Sequence, residues 1–380
     1  MPESQAINAI IILGMHRCGT SSLGGALNIV GADFGPHPIA KAPDNPMGFW
    51  EHPGIVALHE KFLAAAGSAW DDASPFADGW KEGEAAAFVR SHLKEILQRD
   101  FGTSPLWFVK DPRLCRLLPL WKPVLAELGI RPGFVIISRN PVEVAASLHQ
   151  RNGIAESKSH LLWLQHMLAA EHASRGSRRS FLTYAEFLSD PLAALNKIAF
   201  ELRIAWPTRP EFARKELTGF LNPGLWHHHV AGEPAGEPSP LRDLAMECAR
   251  VLQRGGACAG AKFEKSLDGI ASALGDGSAL LRSEHLLAAL NEKLAALSFV
   301  VAERTELERI LRARDEGIYY LQLEVSARSI RIAALEKTLR QMEASPYWHL
   351  RHLVRHPRKA LKNFLLREKR AGFDEAGPPP

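Results

Sequence analysis

The sequence predicts an α/β fold, a three-layer sandwich with a mostly parallel central sheet, followed by a C-terminal α-helical coiled coil. Three observations carry this prediction. Short runs of β-branched and apolar residues end at glycine or polar residues, helical patterns separate these runs, and a long heptad-like pattern fills the C-terminal part. Strands that alternate with helices form parallel sheets, and the C-terminal ends of their strands meet at one edge.

The first predicted strand covers residues 9–13 and ends at Gly14. From Gly14 to Gly19 the spacing matches a P-loop, G-x-x-x-x-G-K-[ST], but Thr20 stands at the lysine position and Arg17 lies inside the loop. Loop amides and a helix N-terminus favour an anion. Because the lysine that grips a triphosphate is missing, the loop predicts a different phosphate-like ligand. The alternative is a glycine turn that binds nothing.

Three further strands follow, and each runs into a polar residue. They are predicted at 107–109, 134–137 and 181–184. Lys110 and Arg139 come just after two of them, and Tyr184 ends the third. Since the carboxyl ends of parallel strands line the ligand crevice of an α/β sheet, these side chains should converge on the loop that contains Arg17.

Helices and loops are predicted between and after the strands. A long loop rich in proline and glycine covers 33–50, and a second loop covers 67–83. The predicted helices begin at Gly19–Ser22 and at Glu51–His52, and further ones cover 84–99, 117–128, 158–174, 191–202 and 208–220.

The loop from Gly14 to Leu23 resembles the 5′-phosphosulfate loop of sulfotransferases that use 3′-phosphoadenosine 5′-phosphosulfate (PAPS). It is similar to the R-[SC]-G-[TS] version of the carbohydrate and tyrosylprotein enzymes. Residues 137–148 resemble the 3′-phosphate motif, an arginine at a strand end with a serine eight residues later. Residues 110–112, 183–191 and 220–228 resemble three other segments of the family, the last of them in its bacterial members. The resemblance covers about residues 8–230 and implies a P-loop NTPase-like fold.

The resemblance also implies roles for individual residues. Backbone and side-chain groups of five residues would hold the 5′-phosphate: Cys18, Gly19, Thr20, Ser21 and Ser22. Arg139 and Ser147 would bind the 3′-phosphate, and Arg17 would face the sulfuryl group. Lys110 would share the charge on that group, or form a salt bridge to Asp111. Tyr184 would pack on the adenine or belong to the core.

The general base would be Glu51 or His52, and we favour Glu51 because it follows a loop of suitable reach. In the alternative interpretation, Glu51 caps a helix or neutralises Arg17. Arg113 could bind an acceptor carboxylate or phosphate, or only brace its loop.

The predicted function is therefore transfer of a sulfuryl group from PAPS to a hydroxyl acceptor, a glycan or glycolipid. Trp50, Trp70 and Trp80 could stack on sugar rings or pack in the core. Two alternatives are a P-loop kinase or NTPase, and a non-catalytic coiled-coil scaffold with a degenerate nucleotide-binding domain.

Composition and charge limit the kinds of partner and the location that the sequence predicts. The net charge is +4, but residues 346–370 hold eight Lys/Arg against one Glu, so the rest of the chain is nearly neutral. This balance argues against nucleic acid as a partner. The four cysteines and the run 227–229 (His-His-His) lack metal-ligand spacing, so no metal is expected. Reduced thiols, with no secretion signal and no apolar run of membrane-spanning length, predict a cytoplasmic protein.

The chain is predicted to contain four parts. They are a catalytic domain (1–230), a linker with a helical extension (231–278), a coiled coil (279–345) and a basic amphipathic tail (346–380). The heptad pattern, with one slip typical of a stutter, predicts self-association into a homo-oligomer, or a long helix folded back on the catalytic body. The tail could bind the anionic inner face of a membrane or an acidic partner, or stay solvated.

Overall fold

The structure is a computed structural model that describes residues 8–36, 48–221, 239–255, 260–276, 278–344 and 362. The chain divides into two compact units, Met1–Glu292 and Lys293–Pro380. In chain order the elements are β1 (Ala9–Leu13), α1 (Thr20–Ile29), α2 (Pro53–Ala65), α3 (Glu84–Phe101), β2 (Trp107–Lys110), α4 (Leu114–Glu127), β3 (Pro132–Ser138), α5 (Pro141–Asn152), α6 (Glu156–Ser174), β4 (Arg179–Thr183), α7 (Tyr184–Ser189), α8 (Pro191–Leu202), α9 (Arg214–Phe220), α10 (Pro240–Leu252), α11 (Ala261–Asp276) and α12 (Ser278–Glu343).

The four strands of the described chain form one parallel sheet with the order β2-β1-β3-β4. On the central strand β1, Ile11 pairs with Val109 of β2 on one side and with Phe134 of β3 on the other. The predicted parallel sheet is therefore confirmed. Because all four strands run in the same direction, the chain leaves each of them at the same edge of the sheet.

Successive strand residues face two different cores. Ile11 and Leu13 pack into one core, whereas Ile10 and Ile12 pack into the other. The first core contains buried residues of α2, α3, α4, α5, α6, α10 and α11, and the second contains buried residues of α1, α7, α8 and α9. Strands buried on both faces read as continuous apolar runs, which is why β1 is so easily recognised. The α/β three-layer architecture is confirmed.

Several element boundaries differ from the sequence prediction for local reasons. β4 ends at Thr183 because the side chains of Thr183 and Glu186 form a capping box. Tyr184 is therefore the first residue of α7 and not the last residue of a strand. α2 starts at Pro53, since His52 is its N-cap and accepts a hydrogen bond from the Ile55 amide. α4 begins earlier than predicted, at Leu114, and α9 later, at Arg214.

The helical extension belongs to the first compact unit. It forms two helices: α10 packs against α5 and α6, and α11 contacts α6. Buried Glu171 of α6 is paired with Arg175 and Arg179, and Arg179 also reaches Glu264 of α11. This chain of ion pairs joins the end of α6 and the start of β4 to α11.

α12 is one continuous helix of 66 residues. No helix among the described residues combines the length and apolar character that a membrane-spanning segment needs. Several predicted features lie outside the described residues: 1–7, 37–47, most of the linker (231–238), the histidines at 227–229, Cys258, and the tail apart from Lys362.

Gly14 directly follows β1 and lies close to the backbone of β3. A Cβ atom on Gly14 would lie 2.6 Å from the backbone oxygen of Ile137 and 2.9 Å from Cγ2 of Thr20. The backbone oxygen belongs to a central strand and has little room to move. Gly14 is therefore required by the distance between the two strands, whatever the loop binds.

Replacing Gly14 with alanine should destabilise the first unit by about 1–3 kcal/mol, the usual cost of overpacking a buried site. Gly219→Ala is the matched control, because a Cβ on Gly219 in α9 meets nothing within 4 Å. The control should change stability by less than about 1 kcal/mol, in the stabilising direction. Chemical denaturation of both variants measures the difference, and equal stabilities would contradict the close-packing account.

Candidate active site

The loop between β1 and α1, residues 14–19 (here called the glycine loop), has an open anion-binding geometry. Arg17 has φ 70° and Gly19 has φ 90°, both in the left-handed region. Gly19 is the N-cap of α1 without a side-chain cap, and the first turn of α1 has no acidic residue. The amides of this turn are thus not satisfied by a capping side chain, and the helix dipole favours negative charge there.

Lys110, at the end of β2, points into this region and is only 3% exposed. Its Nζ donates to Oε1 of Glu51 at 2.5 Å, to Oγ of Ser21 at 3.1 Å and to the backbone oxygen of Phe49 at 3.0 Å. Its partner is therefore Glu51 rather than Asp111. Lys110 joins the end of a central strand to the first turn of α1 and to the segment that precedes α2.

Glu51 and His52 are neighbours in sequence but face different surroundings. Nδ1 of His52 accepts from the Ile55 amide at 3.3 Å, so Nε2 carries the proton and donates to Asp100 at 3.0 Å. Burial lowers the pKa of His52 despite the hydrogen bond to Asp100, so the ring is neutral, and its Nδ1 lone pair is engaged by the Ile55 amide. Of the two candidate bases, Glu51 is the one that lies beside Lys110.

Arg17 and Arg139 meet on the other side of the glycine loop. Nε of Arg17 donates to Oγ of Ser147 on α5 at 2.7 Å, and Nη1 of Arg139 lies 3.4 Å from the backbone oxygen of Arg17. Nε of Arg139 pairs with the buried carboxylate of Glu143 at 2.7 Å. The residues predicted for the sulfuryl group and for the 3′-phosphate are therefore in direct contact, and Glu143 is a member of the cluster that sequence reasoning missed.

Tyr184 packs against Gly19 and under Arg139. Its ring carbons would lie as close as 2.1 Å to a Cβ on Gly19, and the Arg139 guanidinium is 5.2 Å from the ring centroid. The side chain belongs to the core that contains α1 and is 8% exposed. This arrangement fits the core-packing interpretation of Tyr184 and explains why position 19 excludes any side chain.

The two cysteines near the glycine loop point into the core. Burial raises the pKa of the Cys18 thiol to about 11, although a hydrogen bond from the Arg139 backbone and the charge of Arg139 act in the opposite direction. Cys115 is also buried, its pKa is raised by burial, and its Sγ accepts from the Gly14 amide at 3.1 Å. Both thiols stay protonated, and the backbone amide of Cys18 already donates to the backbone oxygen of Met15 at 3.1 Å.

The hydroxyls at the start of α1 differ in exposure. Thr20 is buried, at 4% exposure, while Ser21 and Ser22 are partly exposed. Ser21 also donates to the Phe49 oxygen at 3.3 Å. Ser21 is therefore already part of the Lys110 cluster, and Ser22 stands beside it on the first turn.

A buried polar network behind Lys110 was missed by sequence reasoning. Nε1 of Trp121 donates to Nε2 of His59 at 2.9 Å, so Nδ1 carries the proton and donates to Asp111 at 2.7 Å. The amide and Nη1 of Arg113 both donate to the other Asp111 oxygen at 2.9 Å, and Nε of Arg113 pairs with Glu60 at 2.5 Å. Arg113 thus braces the turn after β2, which is one of the two roles predicted for it.

Charge and burial together set the ionisation of this network. Burial alone would raise the pKa of Asp111, but the hydrogen bond from His59 and the charge of Arg113 outweigh it and hold the pKa well below its ordinary value. The carboxylate is ionised and held by three hydrogen bonds. Because Asp111 directly follows Lys110, this anchorage fixes the end of β2 and the direction from which Lys110 reaches the glycine loop.

The three tryptophans considered as sugar platforms have different surroundings. Trp50 packs against Phe34 and Phe220, and Trp80 lies in an aromatic cluster with Phe62 and Phe76. The ring of Trp70 contacts His16 of the glycine loop, with 4.5 Å between the ring centroids. Burial, and after it the positive charge of Arg113, holds the pKa of His16 well below its ordinary value, so this imidazole is neutral.

Taken together, three cationic side chains and two carboxylates surround the glycine loop. Arg17, Lys110 and Arg139 are balanced by Glu51 and Glu143. By formal charge the three cations outnumber the two carboxylates, a balance that favours an anion over a cation at this place.

No protein-family model matches the chain, and no curated protein matches it. Among solved structures, the chain is similar to the sulfotransferase domain of the olefin synthase of Synechococcus PCC 7002, with 15% identity and a TM-score of 0.40 over 66% of this chain and 97% of that domain. It is also similar to the sulfotransferase domain of the curacin biosynthetic pathway, with 13% identity and a TM-score of 0.34 over 72% of this chain and 99% of that domain.

Replacing Asp111 with asparagine should lower the free energy of unfolding at pH 7 by about 3–5 kcal/mol, because it leaves a buried ion network incomplete. Since the folded pKa of Asp111 lies below its ordinary value of 3.8, its stabilisation is present above that pH and is lost as the pH falls through the folded pKa. The difference from wild type should therefore shrink between pH 7 and pH 3, as measured by denaturant unfolding.

Glu60→Gln is the control for this experiment, because Glu60 pairs with the same arginine but its side chain is 44% exposed. It should cost less than about 1 kcal/mol. An Asp111→Asn variant as stable as Glu60→Gln, or a pH-independent difference, would contradict the role of the buried carboxylate.

Proposed function

We propose that this protein is a PAPS-dependent sulfotransferase that moves a sulfuryl group to a hydroxyl acceptor. The observation that carries the proposal is the contact between the glycine loop and the start of α5, where Arg17 meets Ser147 at 2.7 Å beside Arg139. An anion-binding loop and a second cationic centre stand side by side. PAPS carries a 5′-phosphosulfate and a separate 3′-phosphate, so it presents two anionic centres, whereas a nucleoside triphosphate presents one chain of phosphates.

The residues present fit such a donor. The uncapped amides of the first turn of α1, with the hydroxyls of Ser21 and Ser22, would hold the 5′-phosphate. Arg139 and Ser147 would hold the 3′-phosphate, with Glu143 keeping the Arg139 guanidinium oriented. The donor would supply an activated sulfuryl group, and Arg17 and Lys110 would supply the positive charge that this group and its leaving oxygen require.

Glu51 would act as the general base. In the proposed reaction, its carboxylate takes the proton of the acceptor hydroxyl as the new O–S bond forms and the bond to the 5′-phosphate breaks. Glu51 is held by Lys110 at 2.5 Å. Drawing Lys110 toward the anionic donor would release the Glu51 carboxylate, which could then accept the hydrogen bond of the acceptor hydroxyl.

We further propose that the acceptor is a glycan or glycolipid hydroxyl. The support is the resemblance of the loop to that of carbohydrate sulfotransferases, together with Trp70, whose ring contacts the glycine loop through His16. An aromatic face beside the reaction centre suits the apolar face of a sugar ring.

The donor proposal predicts a ranking of ligands. At about 100 times its dissociation constant, 3′,5′-ADP should stabilise the protein by about 2.7 kcal/mol in thermal unfolding, whereas 5′-AMP and ATP with Mg²⁺ at the same concentration should give much less. Arg139→Gln should remove most of the preference for 3′,5′-ADP over 5′-AMP. Arg131→Gln, an exposed arginine at the opposite end of β3, is the matched control and should keep it.

Each other outcome contradicts the proposal in a different way. Stabilisation by ATP with Mg²⁺ in preference to 3′,5′-ADP would indicate a kinase or NTPase. No stabilisation by any of the three nucleotides would indicate a degenerate domain. Equal effects of 3′,5′-ADP and 5′-AMP would remove the 3′-phosphate role of Arg139 and Ser147.

A second prediction addresses the base. With ³⁵S-labelled PAPS and a panel of glycans, Glu51→Gln should lower the rate of label transfer by about 100-fold or more, the usual contribution of a general base. It should leave the affinity for 3′,5′-ADP unchanged or raise it, because Lys110 loses a competing carboxylate. His52→Asn keeps an N-cap at the same place and should transfer label at close to the wild-type rate. A reversed pattern would make His52 the base.

A further inference from the structure

The second compact unit carries an apolar stripe with no cover among the described residues. From Leu307 to Met342 the sequence follows a strict heptad repeat, in which the a and d positions alternate at spacings of four and three. The residues at these a and d positions are here called the seam. Position a is held by Leu311, Ile318, Val325, Ile332 and Leu339, and position d by Leu307, Arg314, Leu321, Arg328, Leu335 and Met342. The nine apolar seam side chains are between 41% and 63% exposed.

An exposed apolar stripe of this kind indicates a surface that binds a partner. The seam runs for about 50 Å along the helix, at 1.5 Å per residue. A helix in water gains most of its stability from packing an apolar face, and a contiguous apolar surface of this length marks an interaction site. The continuity of α12 and the exposure of its seam are therefore explained together if another helix covers the seam.

The partner must itself be a long helix with the same repeat. Apart from α12, the longest helix among the described residues is α6, with 19 residues, which spans only about 28 Å. A short helix would leave half of the seam in water. A second copy of α12 supplies the required length and the required 3.5-residue periodicity without any other protein.

We propose that the seam binds a second copy of this chain as a parallel, in-register, two-stranded coiled coil. The identity of the seam residues selects this form. Position a is β-branched at three of its five places, and position d is leucine at three of its six. β-branched residues at a with leucine at d favour two parallel strands over three or four.

The charged residues agree with the parallel register. In a parallel pair, position g of one helix faces position e of the next heptad on the other. Arg331 at g then faces Glu336 of the partner subunit, and Arg314 at d packs beside Asp315 of the partner subunit at e.

Two arginines at d lower the stability of the seam and so can specify its register. Arg328 already turns away from the seam to pair with Glu324 at 2.6 Å, so its charge stays at the surface. The apolar stem of Arg328 can still cover the neighbouring layers. The second arginine, Arg314, has Asp315 of the partner subunit within reach.

Cysteine cross-linking of the full chain tests orientation and register together. In a Cys258→Ser background, Val325→Cys places a thiol at a central a position, where it would face the same residue of the second copy. Mild oxidation should convert most of this variant to a disulfide-linked dimer. Ser326→Cys, one residue further at position b, points away from the seam and should give at least about tenfold less dimer. No excess of dimer from Val325→Cys over Ser326→Cys would overturn the parallel in-register pairing.

Light scattering on the uncrosslinked full chain tests the seam itself. Leu321→Asp at d should raise the dimer dissociation constant by about 100-fold or more, because the dimer loses two packed leucines. Leu323→Asp is the control, since Leu323 is similarly exposed, at 50%, but lies at position f. It should leave the wild-type dimer mass unchanged. A monomeric wild type, a trimeric or larger mass, or equal effects of the two aspartates would overturn the proposal.

Substitution of the two seam arginines should strengthen dimerisation, whereas Leu321→Asp should weaken it. Arg314→Leu and Arg328→Leu should each tighten the dimer by about tenfold, because each replaces a charged layer with an apolar one. Weaker association of both variants would contradict their placement at d. None of these outcomes depends on what the glycine loop binds.

Discussion

The ion pair between Lys110 and Glu51 is the interaction on which the candidate site depends. An ammonium group has three protons to donate, and burying it is costly unless each finds an acceptor. Lys110 is 3% exposed and has three acceptors, on Glu51, Ser21 and Phe49. Ser21 lies in α1, whereas Phe49 and Glu51 lie in the segment before α2, so one satisfied cation at the end of β2 joins that strand to both segments.

On the opposite side of the glycine loop, cationic side chains are likewise held in place by acceptors within the protein. Arg139 is held by Glu143 and reaches the backbone of Arg17, while Arg17 is held by Ser147. In both places a carboxylate keeps a buried cation in position when no anion is bound. A donor with two anionic centres would compete with Glu51 for Lys110, while Glu143 would keep Arg139 oriented toward the ligand. The proposed release of Glu51 follows from this competition.

Local patterns were sufficient to predict the framework but not its long-range contacts. The strands were predictable because each is a short apolar run buried on both faces, and their shared direction brought Lys110, Arg139 and Tyr184 to one edge. The partner of Lys110 lies 59 residues away and that of Arg17 lies 130 residues away, so no spacing rule could identify them. His59, Asp111 and Trp121 were missed for the same reason, since each residue alone is ordinary in its own helix or turn. Sequence reasoning favoured Glu51 over His52 as the base, and that choice stays a prediction; only the hydrogen-bond partners of the His52 imidazole required the structure.

The most direct measurement of the central claim is a crystal structure of the protein with 3′,5′-ADP. The account predicts that the 5′-phosphate lies on the amides of the first turn of α1 and that the 3′-phosphate contacts Arg139 and Ser147. It also predicts that Lys110 moves away from Glu51 when the ligand is bound. A nucleotide bound elsewhere, or one whose 3′-phosphate faces solvent while Lys110 stays on Glu51, would contradict the account.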